Sequence, residues 1–341
     1  MRATKPPPNL TDISARIASF RAPVADELSL VDRELRRILP NGGGLIDEVA
    51  DHLLSSKGKR FRPTLLLLSA RMAGDGAADS CLAASVIVEL VHMATLVHDD
   101  AIDKSEIRRG KPTVNTRWNE QVSIIMGDYV YTKVFKVLAD LRMFKVMDIL
   151  ARSTHEMTIG EMAQIEKKNN LKTTEEEYMT VIDNKTASLI GAACEIGAAV
   201  GGAGEREVEL CASFGRRVGL AFQIMDDILD FLGDERVLGK PRCGDVRGGD
   251  ITLPLISALR NAPEPDRSRL EELITRAGSV EGMPDDEEMI DLMQKHEGFS
   301  YAKAAGARHA ESAKEFLMQF EPSPSRDALL FAAEYVVERD F

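Results

Sequence analysis

The stretch "SCLAASVIVELVHMATLVHDD", residues 80–100, decides what kind of fold this chain can adopt. Its apolar residues recur three and four positions apart, a spacing that places them on one side of an α-helix. It continues into "LVHDDAID", residues 96–103, so three aspartates follow directly on an apolar run. Asp99 and Asp103 stand four apart, and a helix would therefore place both carboxylates on one face, where like charges repel each other. Folding alone gives no reason for that arrangement.

The same helical spacing continues through most of the chain. It is found in "LTDISARIASFRAPVADELSLVDRELRRIL", "YVYTKVFKVLADL", "REVELCASFGRRVGLAFQIMDDILDFL" and "GARHAESAKEFLMQF". Strand signals are almost absent, and short breaks rich in glycine and proline separate the segments. The pattern predicts an all-α bundle of roughly a dozen helices. We expect residues 10–341 to form a single all-α domain, and residues 1–9, with "PPP", to be a flexible N-terminal arm.

Composition excludes several classes of protein. The 341 residues carry a net charge of −12, which argues against a general nucleic-acid binder because phosphate backbones favour basic surfaces. The four cysteines form neither a CxxC pair nor a zinc spacing, which favours reduced thiols in the cytoplasm. No signal peptide is evident, and the longest candidate for a membrane span, "SLIGAACEIGAAVGGAG", is interrupted by Glu195. We therefore expect a cytoplasmic protein with no transmembrane segment and no nucleic-acid partner.

A second acidic cluster repeats the first. "IMDDILD", residues 224–230, again ends an apolar helical run, and both clusters lead through charged residues into Gly-Lys-Pro. A single DDxxD is more commonly a solvated helix face, but two with the same sequel favour a site. Carboxylates at this spacing offer hard oxygen ligands, which select Mg²⁺ or, as an alternative, Mn²⁺. We expect the two faces to meet across a cavity and clamp a polyphosphate through metal ions, with the candidate metal ligands being Asp99, Asp100, Asp103, Asp226, Asp227 and Asp230.

Basic residues accompany the acidic clusters. "GKRFRP" places Lys59, Arg60 and Arg62 at a predicted helix start, where free amide groups already favour anions. Arg108 and Arg109 follow the first cluster, and His92 lies two helical turns before Asp99. Each of these alone has an ordinary explanation, either as surface charge or as a packed histidine. As a group they predict a pocket for anionic oxygens.

The stretches "GKRFRP", "ELVHMATLVHDDAIDKSEIRRGKPTVN", "FQIMDDILDFLGDERVLGKP" and "TLPLI" resemble the trans-isoprenyl (polyprenyl) diphosphate synthase family. The resemblance covers most of the chain and implies an isoprenoid-synthase-type helical bundle around a central cavity. It implies a homodimer that uses Mg²⁺ to condense isopentenyl diphosphate head-to-tail onto an allylic diphosphate. Through "TRWNEQVSIIMGDYVYTKVF" the chain is most similar to long-chain, octaprenyl-type synthases.

Roles for single residues follow from this resemblance position by position. The implied catalytic residues are Asp99, Asp103, Asp226, Lys185, Thr186 and Gln223. The residues implied to bind isopentenyl diphosphate are Lys59, Arg62, His92 and Arg109. The residues implied to bind the allylic diphosphate are Arg108, Lys185, Thr186, Gln223 and Lys240. Gln164 matches a further family position near the allylic substrate.

Product length is implied by two residues before the first cluster. In this family a bulky aromatic five residues before the first aspartate stops chain growth early, and this chain has the small Ala94 there, next to Thr95. The resemblance therefore implies a medium to long product. A shorter-chain farnesyl or geranylgeranyl diphosphate synthase is the main alternative. A terpene cyclase is a further alternative, although it would usually carry an Asn/Ser/Glu triad in place of the second DDxxD and lack "GKRFRP". A non-catalytic partner subunit is another, although it would be expected to have lost one of the two clusters.

Two departures from the family pattern lie after the second cluster. The usual Gly-x-Asp is replaced by Cys243-Gly244-Asp245, and Asp250 stands where the family usually has a lysine. Both changes fall on a loop that closes the site, and they leave the aspartate clusters themselves intact.

Overall fold

The structure is a computed structural model that describes residues 18–40, 42–56, 58–74, 76–233, 242–277 and 286–338. Within these ranges the chain is almost wholly helical, which confirms the predicted all-α class. The predicted arm at residues 1–9 lies outside the described residues, as does Lys240. The helices of the first half are α1 Ala25–Ile38, α2 Leu45–Ser55, α3 Phe61–Ala73, α4 Ala78–Ile102, α5 Val114–Arg117, α6 Glu120–Asp140 and α7 Phe144–Lys167. Those of the second half are α8 Glu175–Ile182, α9 Ser188–Gly201, α10 Glu205–Leu232, α11 Gly244–Arg247, α12 Leu253–Asn261, α13 Asp266–Ala277, α14 Asp286–Lys295, α15 Gly298–Leu317 and α16 Pro324–Glu338.

Glycines let three helices pack backbone against backbone in the centre of the bundle. A Cβ added to Gly197 of α9 would lie 2.2 Å from the carbonyl oxygen of Leu66 in α3. One added to Gly215 of α10 would lie 2.7 Å from the carbonyl oxygen of Ile190 in α9. The segment around Glu195 is therefore a buried, closely packed helix, as its small residues predict, and Glu195 itself accepts an ion pair from Arg152 at 2.8 Å.

Helix α4 is the long apolar helix of the core. It is the one candidate membrane span among the described residues, by length and composition, rather than the segment around Glu195. In the structure 67% of its most apolar window is buried inside the protein, as in the core helix of a bundle. Exposed side chains lie toward the two ends of α4, and the first aspartate cluster is at the C-terminal end.

A short β-hairpin follows α4 and adds the only sheet of the described residues. Its strands β1 Ile107–Arg108 and β2 Lys111–Pro112 pair antiparallel across a two-residue turn. The turn residues Arg109 and Gly110 have φ of 53° and 72°, the left-handed backbone that tight hairpin turns require. The hairpin folds Arg108 and Arg109 back beside the end of α4.

A π-helix of five residues, Asp183–Ala187, joins α8 to α9. Such an insertion in an α-helix commonly accompanies a functional site, because it turns side chains away from the regular helical stripe. Here it carries Lys185 and Thr186. It packs against α7 at Gly160, where an added Cβ would lie 2.6 Å from the backbone nitrogen of Lys185.

Candidate active site

The first aspartate motif (Asp99, Asp100 and Asp103) lies at the C-terminal end of α4. Asp99 is in the last turn, and Asp103 is the residue that caps the helix. Burial raises the pKa of Asp99 to about 6, an effect that the nearby Lys185 ammonium partly offsets. Asp100 is buried and accepts an ion pair from Arg108 Nε at 2.7 Å, so it ties the β-hairpin to α4. Asp99 and Asp103 thus share one face of the helix end, as predicted, while Asp100 anchors the β-hairpin.

The second aspartate motif (Asp226, Asp227 and Asp230) lies near the end of α10. Asp226 is exposed, whereas Asp227 and Asp230 are buried. Burial raises the pKa of Asp227 to about 7, although it accepts hydrogen bonds from Tyr178 Oη at 2.6 Å and Gln223 Nε2 at 2.8 Å. Asp230 accepts a hydrogen bond from the backbone N–H of Asp245 at 3.0 Å and so holds the first turn of α11 against α10. The three carboxylates therefore have different surroundings.

Lys185 and Thr186 on the π-helix connect the two motifs. Lys185 Nζ lies 2.6 Å from Glu161 and acts electrostatically on Asp99 and Asp103. The neighbouring Thr186 donates its hydroxyl to Gln223 Oε1 at 2.8 Å, and Gln223 in turn donates to Asp227. Lys185 thus interacts electrostatically with the first motif, and Thr186 is linked to the second motif by hydrogen bonds through Gln223.

One stripe of α7 faces this same region and was missed in part by reasoning from sequence. Glu161 pairs with Lys185, and Gln164 donates to Asp250 Oδ2 at 2.8 Å. Lys168, directly after α7, lies 3.4 Å from Asp103 Oδ1. Only Gln164 was a candidate from the sequence. The spacing i, i+3, i+7 of three polar residues on an otherwise mixed helix was the available signal.

The basic cluster forms beside the first motif. Arg62 Nη1 lies 3.2 Å from His92 Nε2, and Arg62 Nε is buried without a hydrogen-bond partner among the described residues. Burial lowers the pKa of Arg62 to about 10 and that of His92 well below its usual value, the latter further lowered by Arg62. Arg109 packs over Gly58, where an added Cβ would lie 2.6 Å from Arg109 Nη1. A bound anion would offset the free-energy cost of burying these cations.

Arg60 differs from the other basic residues of "GKRFRP". It is only 8% exposed and pairs with Glu89 at 2.6 Å and Asp32 at 2.7 Å. Its backbone is left-handed, with φ of 48°, and it precedes the first residue of α3. Arg60 therefore fixes the turn from which the exposed Lys59 and the inward Arg62 extend. Its structural role was not distinguishable from sequence, since all three cations share one short stretch.

A cleft open to solvent lies between α2, α4 and the β-hairpin, next to the basic cluster. Its polar lining includes His92, Arg108 and Arg109, and its apolar lining includes Leu96 and Val97. It can therefore take a ligand that is anionic at one end and apolar at the other.

The two residues implied to set product length have different surroundings. Ala94 is fully buried in the core cluster that includes Val130, Val134 and Ile149. Thr95 is half-buried and donates its hydroxyl to the carbonyl oxygen of His92 at 2.9 Å. A larger side chain at position 94 must therefore displace either core side chains or a growing product.

The described residues contain no group of three or more His, Cys, Asp or Glu side chains placed to hold a metal ion by themselves. Mg²⁺ does not require one, because it typically takes one or two carboxylates and completes its shell with waters and substrate phosphates. The oxygen-only donors of the two aspartate motifs fit that ion and would not suit zinc.

Comparisons with known proteins give a consistent result. The family model described as Polyprenyl synthetase matches residues 44–290. The chain is 38% identical over 298 residues to the short chain isoprenyl diphosphate synthase of Methanothermobacter thermautotrophicus, covering 85% of this chain and 89% of that one. It is 35% identical over 326 residues to the nonaprenyl diphosphate synthase of Mycobacterium tuberculosis, covering 94% of each. A solved polyprenyl synthase from Caulobacter crescentus, complexed with calcium and isoprenyl diphosphate, superposes with a TM-score of 0.89 at 30% identity, covering 95% of this chain and 98% of that one.

Proposed function

Because the chain belongs to the polyprenyl synthetase family, we propose that it is a prenyl diphosphate synthase that condenses isopentenyl diphosphate head-to-tail onto an allylic diphosphate in the presence of Mg²⁺. The observation that carries the proposal is that two adjacent residues of the π-helix face both motifs. Lys185 interacts electrostatically with Asp99 and Asp103, and Thr186 is hydrogen-bonded through Gln223 to Asp227. Two acidic motifs that are far apart in sequence thereby border one region, as a shared diphosphate site requires.

Divalent cations fit the acidic side of this region. Asp99 and Asp103 would hold Mg²⁺ from α4, and the exposed Asp226 would hold it from α10. Bound Mg²⁺ would neutralise the charge that develops on the diphosphate leaving group. The calcium in the Caulobacter crescentus structure supports a divalent ion in this chain too. The remaining members of the two motifs would support the metal-binding shell: Asp100, Asp227 and Asp230.

The allylic substrate would lose its diphosphate at this site. Lys185, held by Glu161, and Arg108 would contact the leaving diphosphate, and Lys240, outside the described residues, would complete that side. The Thr186 hydroxyl and the Gln223 amide are neutral dipoles that can stabilise the allylic cation without reacting with it. Apolar walls would keep water from the cation. The isopentenyl double bond then attacks, and the proton that is lost goes to the departing diphosphate, since no side chain here is an obvious general base.

Isopentenyl diphosphate would bind at the basic cluster. Arg62 and Arg109 would form charge-assisted hydrogen bonds with its phosphate oxygens, and Lys59 would approach from the exposed side. His92 is neutral because its pKa is lowered, so it can donate one hydrogen bond without adding charge. Arg62 Nε, buried without a partner among the described residues, supports this assignment.

The product is proposed to be a medium to long all-trans prenyl diphosphate, octaprenyl-like. The small Ala94 and the neighbouring Thr95 support this length, since neither blocks growth as an aromatic would. A shorter farnesyl or geranylgeranyl product is the alternative. The relatives' names span both cases, from short chain to nonaprenyl.

A homodimer is proposed from the apolar surface of α6 and α7. These two helices carry eight of the fourteen large apolar side chains that are exposed among the described residues, including Ile125, Phe135, Phe144 and Met162, each at least 60% exposed. This many exposed large apolar side chains on two helices favours a partner, and a second copy of the chain supplies a self-complementary one. Sedimentation of the wild type and of Phe144→Glu tests this. A monomeric wild type would contradict it. We place the enzyme in the cytoplasm.

Incubation with labelled isopentenyl diphosphate, farnesyl diphosphate and Mg²⁺ tests the proposed function. Elongated prenyl diphosphates, resolved by chromatography after dephosphorylation, support it and also give the chain length. Cyclic hydrocarbon would identify a terpene cyclase instead. No turnover in the presence of Mg²⁺ would favour a non-catalytic partner subunit.

A further inference from the structure

Lys168 is a cation at the outer carboxylate of the first aspartate motif. It is the first residue after α7, and its Nζ lies 3.4 Å from Asp103 Oδ1. This is a long contact, and a lysine ammonium has three N–H donors. Its side chain is 27% exposed. Within the described part of the chain, Lys168 therefore retains donors that can meet an anion beside Asp103.

Asp250 brings a second carboxylate toward Lys168 from the loop after α11. It accepts a hydrogen bond from Gln164 Nε2 at 2.8 Å, one turn before Lys168 on α7. The same loop is fixed to the end of α7 by a 2.7 Å hydrogen bond from the backbone N–H of Asn169 to the carbonyl oxygen of Gly249. Burial raises the pKa of Asp250 to about 6, and Gln164 and the charge of Lys168 oppose that effect. Lys168 is thus influenced by one carboxylate on α4 and another on the loop.

The other cation of this region is differently held. Lys185 is fixed by a 2.6 Å ion pair with Glu161, and its charge also acts on Asp250. Lys168 has no comparably short ion pair among the described residues. Its ion pair is the longer of the two, and its side chain is slightly more exposed, at 27% against 22%.

The charge distribution at this point departs from the pattern that the sequence resembles. The resemblance implies a lysine at position 250, and this chain has Asp250 there, so the loop carries a negative charge where the resemblance implies a positive one. Lys168, directly after α7, supplies a positive charge opposite this loop. A site for a diphosphate needs that positive charge near Asp103, whichever element supplies it.

On the basis of the proposed function, we propose that Lys168 is a substrate-binding residue whose ammonium contacts the diphosphate oxygens of the allylic substrate. Asp250, which accepts a hydrogen bond from Gln164, contributes a negative charge on the facing loop. At the rim of the site, the cation that contacts the allylic diphosphate therefore comes from the end of α7 and not from the loop.

Steady-state kinetics of Lys168→Gln test the inference. Loss of one charge-assisted hydrogen bond is expected to raise KM for farnesyl diphosphate about 10-fold or more, with KM for isopentenyl diphosphate within about 2-fold of wild type. Lys168→Arg keeps the charge and is expected to stay within about 3-fold, which separates loss of charge from loss of packing. The matched control is Lys303→Gln in α15, an exposed residue outside the proposed dimer surface, for which both KM values stay at wild type.

A charge exchange gives the sharper result. Lys168→Gln combined with Asp250→Lys moves the cation from α7 back to the loop, and KM for farnesyl diphosphate is expected to return to within about 3-fold of wild type. An unchanged KM in Lys168→Gln, an equal rise for both substrates, or no rescue in the double variant would each overturn the inference.

Binding of inorganic pyrophosphate with Mg²⁺, measured by calorimetry on wild type and Lys168→Gln, does not depend on turnover. Weaker binding by about 10-fold in the variant supports the role of Lys168 even if the wild type elongates no allylic substrate, an outcome that would refute only the proposed function. Equal binding by the two proteins would refute the role of Lys168 alone.

Discussion

Substitution of Gly160 by alanine tests whether catalysis by Lys185 and Thr186 depends on the position of the π-helix. Gly160 lies in α7 directly under the π-helix. An added Cβ would be 2.6 Å from the Lys185 backbone nitrogen, 2.9 Å from Asn184 Cβ and 3.0 Å from Lys185 Cα. Ordinary van der Waals contact begins near 3.4 Å, so the π-helix must retreat by about 1 Å.

The stability cost of this change is small. Overpacking of this kind costs about 1–3 kcal/mol, and the preference of a helix for alanine over glycine returns about 1 kcal/mol. The free energy of unfolding should therefore fall by no more than about 2 kcal/mol. The effect on catalysis should be larger, since a displacement of about 1 Å at a catalytic group can lower kcat by about 10- to 100-fold.

The assay compares kcat for condensation with urea unfolding for Gly160→Ala and for the control Gly306→Ala. In α15, an added Cβ at Gly306 would meet Ile224 and Met225 only at 3.6 Å or beyond, an ordinary contact, so neither kcat nor stability should fall. A Gly160→Ala enzyme with wild-type kcat would refute the reasoning, because it would show that the position of Lys185 and Thr186 does not limit the reaction.

Three further predictions concern the core, the product and pH. Glu89→Gln removes one carboxylate partner of the buried Arg60 and should lower the free energy of unfolding by about 3 kcal/mol in urea titration. The control Glu34→Gln removes an exposed ion pair and should cost less than about 1 kcal/mol. Equal effects would contradict the structural role of Arg60. Ala94→Phe should shift the product spectrum, read by chromatography, toward shorter chains, and an unchanged spectrum would place the floor of the product channel elsewhere. Burial raises the pKa of Asp227 from 3.8 to about 7. Between these two pH values the native protein holds a proton that the unfolded chain has lost. The free energy of unfolding of the metal-free protein should therefore fall as pH rises through that window. Asp227→Asn should flatten that slope in urea titrations with a chelator at pH 5 and 7.5, and an unchanged slope would assign it to other groups.

The fold class and the acidic motifs were predictable from the sequence, because both depend on spacing along one helix. A three- and four-residue apolar period defines a helix without knowledge of its neighbours, and Asp99 and Asp103 share a face whatever α4 packs against. The buried state of the glycine-rich α9 was predictable for the same reason, since small residues with few charges favour close packing.

Only the tertiary structure decided which members of each motif face the shared region. Asp100 and Asp230 belong to the same DDxxD patterns as Asp99 and Asp226, but the first anchors the β-hairpin and the second holds the first turn of α11. Likewise, Arg60 and Arg62 stand two apart in one stretch, and the fold gives carboxylate partners to Arg60 and leaves Arg62 Nε without one among the described residues. Lys168 and Asp250 are more than eighty residues apart, and nothing in their local sequence indicates that α7 and the loop meet. Local spacing fixes the face of a helix, whereas the partner of a side chain depends on which distant segment the packed core brings against that face.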